Sequence, residues 1–148
     1  MRFIKTIIIS VVVLVGATIS VYLYLHQEHR DVQQTQSDYT LTVSEFVQEY
    51  LDNPKAANIK YLNSSGESKI LTIQGIVKQH TPGTDHSIII LQSPSDKAGV
   101  QAILKTPHQT QEEGDTITIK GVLRAGPSYD DDLEMYENGY VEKASIIE

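Results

Sequence analysis

The sequence predicts a mainly β protein, α+β by content. The expected architecture is a closed five-stranded barrel preceded by one or two short helices, with a transmembrane helix ahead of them. Three observations predict it. An uncharged apolar run opens the chain. Apolar residues then recur at helical spacing as far as Leu62, and from Ile70 onward at strand spacing. Glycines fall inside the first and fourth of five strand-like runs, where a strand must bend sharply to close a small barrel.

The apolar run spans Ile7 to Leu25, in which 15 of 19 residues are apolar and none is charged. At roughly 1.5 Å per residue this is about the length that crosses a hydrocarbon core. Arg2 and Lys5 precede it, and that charge favours a cytoplasmic N-terminus with the remainder exported. A cleaved signal peptide is the competing reading. Gly16-Ala17-Thr18 is a poor cleavage site and the apolar run continues past it, so residues 1–25 are read as an uncleaved signal-anchor. Localisation follows: a membrane-anchored domain on the non-cytoplasmic side, the periplasm in a Gram-negative cell. Residues 26–39 are polar and Gln-rich without an apolar period, which predicts a linker.

Residues 40–148 form the expected domain. Thr42 and Glu45 have capping-box spacing, and Val43, Phe46, Val47, Tyr50 and Leu51 make one helical stripe. Asn53-Pro54 opens a second short helix that ends near Leu62. Strands are expected at 70–77, 87–91, 99–104, 116–123 and 139–147, with a core drawn from Ile73, Ile89, Ile103, Ile119 and Val122. Gly75 and Gly121 let single strands curl into both halves of the barrel. This is OB-fold architecture, a Greek-key barrel. An acidic insertion, Ser128 to Glu137, separates the last two strands and suits a small hairpin.

Composition removes several chemistries. With no cysteine there is no disulfide, thiolate nucleophile, zinc-thiolate site or lipidated N-terminal cysteine. Beyond residue 25 the chain carries 10 basic and 19 acidic residues, a net charge of −9. An OB-fold that binds single strands needs a positive groove with stacking aromatics, so nucleic acid is an unfavoured partner. The possible stacking set is Tyr129, Tyr136 and Tyr140. Asp130, Asp131, Asp132, Glu134 and Glu137 surround it and repel phosphate. The same acids lack the spacing of a calcium loop. His26 and His29 lie in the linker. His80 and His86 flank the Pro82-Gly83 turn, with Asp85 nearby but no convincing third ligand, and His108 has no evident partner. Phe46, Tyr50 and Tyr61 sit at core spacing, and Lys60 and Lys120 are expected to carry solvated heads. No phosphate loop or nucleophile elbow is present. The expectation is therefore a non-catalytic envelope binding module without metal or cofactor. It takes a protein or small ligand through barrel loops, with Tyr129, Tyr136, Tyr140, Asp130, Asp131 and Asp132 as candidate contacts. The alternative is a nucleic-acid or oligosaccharide-binding domain.

Three segments together carry a family resemblance: Ala56-Ala57-Asn58-Ile59-Lys60-Tyr61-Leu62-Asn63, Leu71-Thr72-Ile73-Gln74-Gly75-Ile76-Val77 and Gly114-Asp115-Thr116-Ile117-Thr118-Ile119-Lys120-Gly121. They resemble the tRNA_anti-like OB-fold proteins, small exported or membrane-tethered proteins found largely in Bacteroidetes, over residues 42–148. The resemblance implies the fold and no catalytic residues. The chain departs from the pattern in lacking late cysteines, with Ser145 near the expected place, and in its lengthened 128–137 connection. The periplasmic haem chaperone of cytochrome c maturation also joins an anchor to an OB-fold. It holds haem through a histidine near its C-terminus, whereas the last histidine here is His108. That activity is excluded.

Overall fold

The structure, a computed structural model, describes residues 31–62, 68–105 and 111–147. The transmembrane helix expected at residues 1–25 lies outside them, as do His26, His29 and His108. No helix among the described residues is long and apolar enough to cross a membrane.

Ten elements follow in order: β1 (Tyr39–Thr42), α1 (Val43–Asp52), α2 (Pro54–Tyr61), β2 (Ile70–Thr81), β3 (Ser87–Leu91), β4 (Val100–Leu104), β5 (Thr116–Ala125), β6 (Ser128–Asp130), β7 (Met135–Glu137) and β8 (Gly139–Ile147). Strands β2, β3, β4, β8 and β5 pair in that sequence, and β5 pairs back onto β2. This closes a five-stranded barrel. The β4–β8 contact is parallel and the other barrel contacts are antiparallel. All five barrel strands lie where the sequence places them, with β2 and β5 extended at their C-terminal ends. The acidic insertion forms the β6–β7 hairpin, with Tyr129 opposite Tyr136.

β2 changes partners along its length. Ile70 to Ile76 pair with β5, and Val77 to Thr81 pair with β3. A register shift between Val77 and Gln79 marks the changeover. Gly75 lies beside it, where α1 comes closest. A Cβ at Gly75 would stand 2.5 Å from Val43 Cγ2, so only glycine lets the helix seat there. α1 closes one end of the barrel, with Val43 against Gly75, Phe46 against Gly139, and Tyr50 against Gly126. Its start is the expected capping box. Thr42 N–H donates to Glu45 Oε2 at 2.7 Å, and Glu45 N–H donates to Thr42 Oγ1 at 3.2 Å. Asn53 Oδ1 caps α2 by accepting from Ala56 N–H, with Pro54 in its first turn.

The core differs from expectation at two positions. Ile73, Ile89 and Ile119 are fully buried, but Ile103 and Val122 are only half-buried. Strand side chains alternate, and in β4 the inward set is Val100, Ala102 and Leu104. In β5 it is Ile119, Gly121 and Leu123. Small residues at Ala102 and Gly121 disguise the inward parity, because neither stands out as apolar in the sequence.

The expected linker also reads differently where it is described. Val32 is 5% exposed. Ser37 Oγ and Thr72 Oγ1 share a hydrogen bond of 2.6 Å, and Asp38 Oδ2 accepts from Ile70 N–H at 2.8 Å. Tyr39 to Thr42 then pair in parallel with Leu71 to Gln74. These contacts form because β2 leaves one edge open ahead of β3, and a polar chain can satisfy that edge with backbone and hydroxyl groups alone.

Inward parity generates a test. Ile119→Asp buries an unpaired charge, which costs several kcal/mol. It should abolish cooperative unfolding in denaturant titrations followed by circular dichroism. Ile103→Thr, on the half-buried face, should lose no more than about 1 kcal/mol. Equal effects at the two positions would contradict the inward assignment.

Candidate functional site

α1, the chain between β3 and β4, and the β6–β7 hairpin enclose a groove of about 640 Å³. Val47, Gln48, Tyr50, Leu51 and Asp52 of α1 form one wall with Pro54. Ser95, Asp96 and Lys97 form a second, and Pro127, Ser128, Tyr129, Asp131 and Tyr136 the third.

Each wall is held in place. Ser44 Oγ of α1 donates to Asp96 Oδ2 at 2.7 Å and to Ser93 Oγ at 3.0 Å. Gln92 Nε2 donates to Asp96 O at 2.7 Å. Gly99 N–H donates to Asn138 Oδ1 at 2.8 Å, linking the start of β4 to the end of the hairpin. At the hairpin tip Asp130 Oδ1 accepts from the N–H groups of Asp132 and Leu133, at 2.8 and 2.9 Å. This side-chain turn brings the chain round to Glu134, whose φ is +52°.

Of the sequence candidates, Tyr129, Tyr136 and Asp131 come together in the groove. The two tyrosine rings pair across the hairpin with centroids 4.8 Å apart, and Tyr129 remains 47% exposed. Asp130 is occupied with the turn. Asp132 and Tyr140 are not among the described residues that line the groove, Tyr140 lying on β8 opposite Gln101 and Ala125.

The groove also contains residues that the sequence did not point to. Lys97 Nζ sits 5.5 Å from the centroid of the Tyr136 ring, a cation–π distance. Asp52 accepts from Gln48 Nε2 at 2.7 Å. Tyr50 lines the groove at 2% exposure, and its buried hydroxyl has no hydrogen-bond partner among the described residues. Burial, and then the neighbouring Tyr61, pushes this phenol up to about 12, so it is neutral in ordinary conditions. A buried hydroxyl left unpaired costs roughly 1–3 kcal/mol. The helical stripe explains why Tyr50 is buried. The Gly126 backbone packs against its ring, so closely that a Cβ there would overlap the ring atoms.

Away from the groove, His80 Nδ1 lies 3.1 Å from Gln111 O and its buried Nε2 has no partner among the described residues, while His86 is exposed. Among the described residues no three His, Asp or Glu side chains converge as metal ligands would.

The tRNA_anti-like family profile matches residues 1–130. The chain belongs to the tRNA_anti-like family. The match takes in the N-terminal segment and ends at Asp130, inside the hairpin, so β7 and β8 lie beyond it. Searches of curated proteins and of solved structures give no match.

In this tRNA_anti-like domain a second cluster ties α2, which supplies Pro54 to the groove, to α1. Lys60 Nζ bridges both carboxylate oxygens of Glu49, at 2.8 and 3.0 Å, and Tyr61 Oη donates to Glu49 Oε2 at 2.9 Å. The ammonium also lies 4.7 Å from the Tyr61 ring centroid and 5.4 Å from that of Tyr39. Lys60 is thus an ion-pair partner rather than the solvated head expected. Lys120 likewise donates to Gln33 O at 2.9 Å, because the chain preceding β1 packs beside it.

The hydrogen bond from Lys60 holds the Glu49 carboxyl below its usual 4.5, and the same bond raises the Lys60 ammonium. Both groups are well exposed, so screening limits the pair to about 0.5 kcal/mol. The depressed acid contributes stability above its unfolded value, and that contribution disappears as pH falls through the folded one. The raised base contributes below its unfolded value and loses its contribution at strongly alkaline pH. Lys60→Met should therefore lower stability slightly at neutral pH. Thermal melts across the acid range should show the gap from the parent closing below pH 4.5; a gap that persists there would assign the loss to packing instead.

Proposed function

We propose that this protein is a non-catalytic binding module of the cell envelope, tethered by residues 1–25, that receives a protein or small ligand in the groove between α1 and the β6–β7 hairpin. The observation that carries this reading is the groove itself. It gathers exposed and buried tyrosines, two prolines and several carboxylates at the loop end of an OB barrel, where such folds commonly take ligands. The non-catalytic part is supported by how two of those carboxylates are used. Asp52 and Asp96 accept structural hydrogen bonds from Gln48 and Ser44, the second of which fixes one wall of the groove to another. The envelope location is supported by the apolar run from Ile7 to Leu25 behind Arg2 and Lys5.

The second reading, a nucleic-acid or oligosaccharide-binding domain, is favoured by the Tyr129–Tyr136 ring pair, which offers a stacking surface. For nucleic acid, the three groove carboxylates against one lysine oppose phosphate.

A photo-crosslinking amino acid at Tyr129 of the full chain, in native membranes, tests the site. Discrete adducts are expected at this position and not at Thr118, at the other end of β5. Adducts of equal yield at both positions, or at neither, would reject the groove as the binding surface. For location, protease added to spheroplasts should digest residues 40–148, and protection of that region would overturn the exported orientation.

A further inference from the structure

We infer that the groove receives an extended segment of a partner polypeptide bearing arginine or lysine side chains. The inference rests on the binding-module reading and names the chemistry of its ligand.

Charge is the first argument. Asp52, Asp96 and Asp131 line the groove against Lys97 alone. Asp131 forms no ion pair among the described residues, and the hairpin adds Asp132, Glu134 and Glu137 beside it. A cationic segment meets an opposite field on approach, which raises its encounter rate and selects against phosphate.

A second argument comes from the aromatic wall. The protein already places one ammonium, that of Lys97, over Tyr136. Tyr129, paired with Tyr136 and half-exposed, offers an equivalent ring to an incoming guanidinium or ammonium.

Tyr50 supplies a third, independent of charge. It lines the groove, is 2% exposed, and its hydroxyl has no hydrogen-bond partner among the described residues. A guanidinium carries five N–H donors and no acceptor, so it can donate to a phenol oxygen and to carboxylates together. Val47, Leu51, Pro54 and Pro127 provide apolar surface for the stems of the same side chains.

A polypeptide fits better than a free polyamine because the groove is an open trough with three separate walls. A backbone can present several side chains to them at fixed spacing. An oligosaccharide could stack on the tyrosines but would leave the carboxylates uncompensated.

The test uses the full chain in detergent and fluorescence anisotropy with four labelled probes: an arginine–proline peptide, its glutamate–proline counterpart, a single-stranded oligonucleotide and a chito-oligosaccharide. Only the arginine–proline peptide should bind, and more weakly as salt rises. Unlabelled arginine–proline peptide should displace it at far lower concentration than spermidine does. Asp131→Asn and Tyr129→Ala should each weaken binding about fivefold. Tyr50→Phe should also weaken binding while leaving the melting temperature of the free protein unchanged or raised, since it removes a hydroxyl that is unpaired without ligand. Absence of arginine–proline binding, equal binding of the two peptides, spermidine displacing as effectively as the unlabelled peptide, or indifference to all three substitutions would overturn the inference. Preference for the oligonucleotide or the saccharide would do the same. Position-specific adducts at Tyr129 without arginine–proline binding would leave the binding module standing and remove only the cationic ligand. Loss of both results would remove both.

Discussion

The closure of β2 onto β5 is the constraint on which the rest of the domain depends. Seven residue pairs, from Ile70↔Val122 to Ile76↔Thr116, turn an open sheet into a barrel. Without them both strands would present a free edge. β2 can serve β5, β1 and β3 only because it is long and changes partner at Val77. The changeover is anchored beyond the ladder. Val77 N–H donates to Asp115 O, Gly114 N–H to Val77 O, and Gln92 N–H to Ile76 O, at 2.8 to 2.9 Å.

Closure creates an end that must be covered, and α1 covers it. Phe46, Tyr50 and Tyr61 pack with ring centroids 5.0 to 6.0 Å apart, a compact aromatic layer between the helices and the barrel mouth. The seat of α1 demands close backbone approach at Gly75 and Gly126. The Tyr50 hydroxyl in this seat has no hydrogen-bond partner among the described residues. A stability-driven arrangement of helix on barrel leaves one unsatisfied polar group beside the groove, and the hairpin after Gly126 raises the opposite wall. Packing and candidate function are coupled through a single residue.

Electrostatics is the ground on which nucleic-acid binding, common among OB-folds, is made the second reading for this tRNA_anti-like domain. Fold ancestry provides a concave surface at the barrel loops, but the field within it is set by the side chains present. Here the tyrosines suited to stacking share their hairpin with Asp130, Asp131, Asp132, Glu134 and Glu137. On the proposed reading, the field selects ligands by the sign of their charge before stacking contributes.

The sequence by itself determined the five barrel strands, the capped helices and the hairpin, because their signals are local. Period-two alternation, the Thr42-x-x-Glu45 box and Asn53-Pro54 each act over a few residues. The acidic insertion and its surroundings also pointed to six candidate contacts, of which Tyr129, Tyr136 and Asp131 line the groove and Asp130, Asp132 and Tyr140 do not. Parity at Ile103 and Val122 was not legible, since inward Ala102 and Gly121 carry no strong apolar signal. Strand β1 was not legible either, because four alternating residues are too few to set a period and its partner lies across two helices. Only the tertiary structure brought Asp52, Asp96 and Lys97 to the hairpin and left the Tyr50 hydroxyl unpaired. Those relations arise from β3–β4, α1 and β6–β7 meeting at one barrel end, and contacts between segments so distant in the chain leave no periodic trace in any one of them.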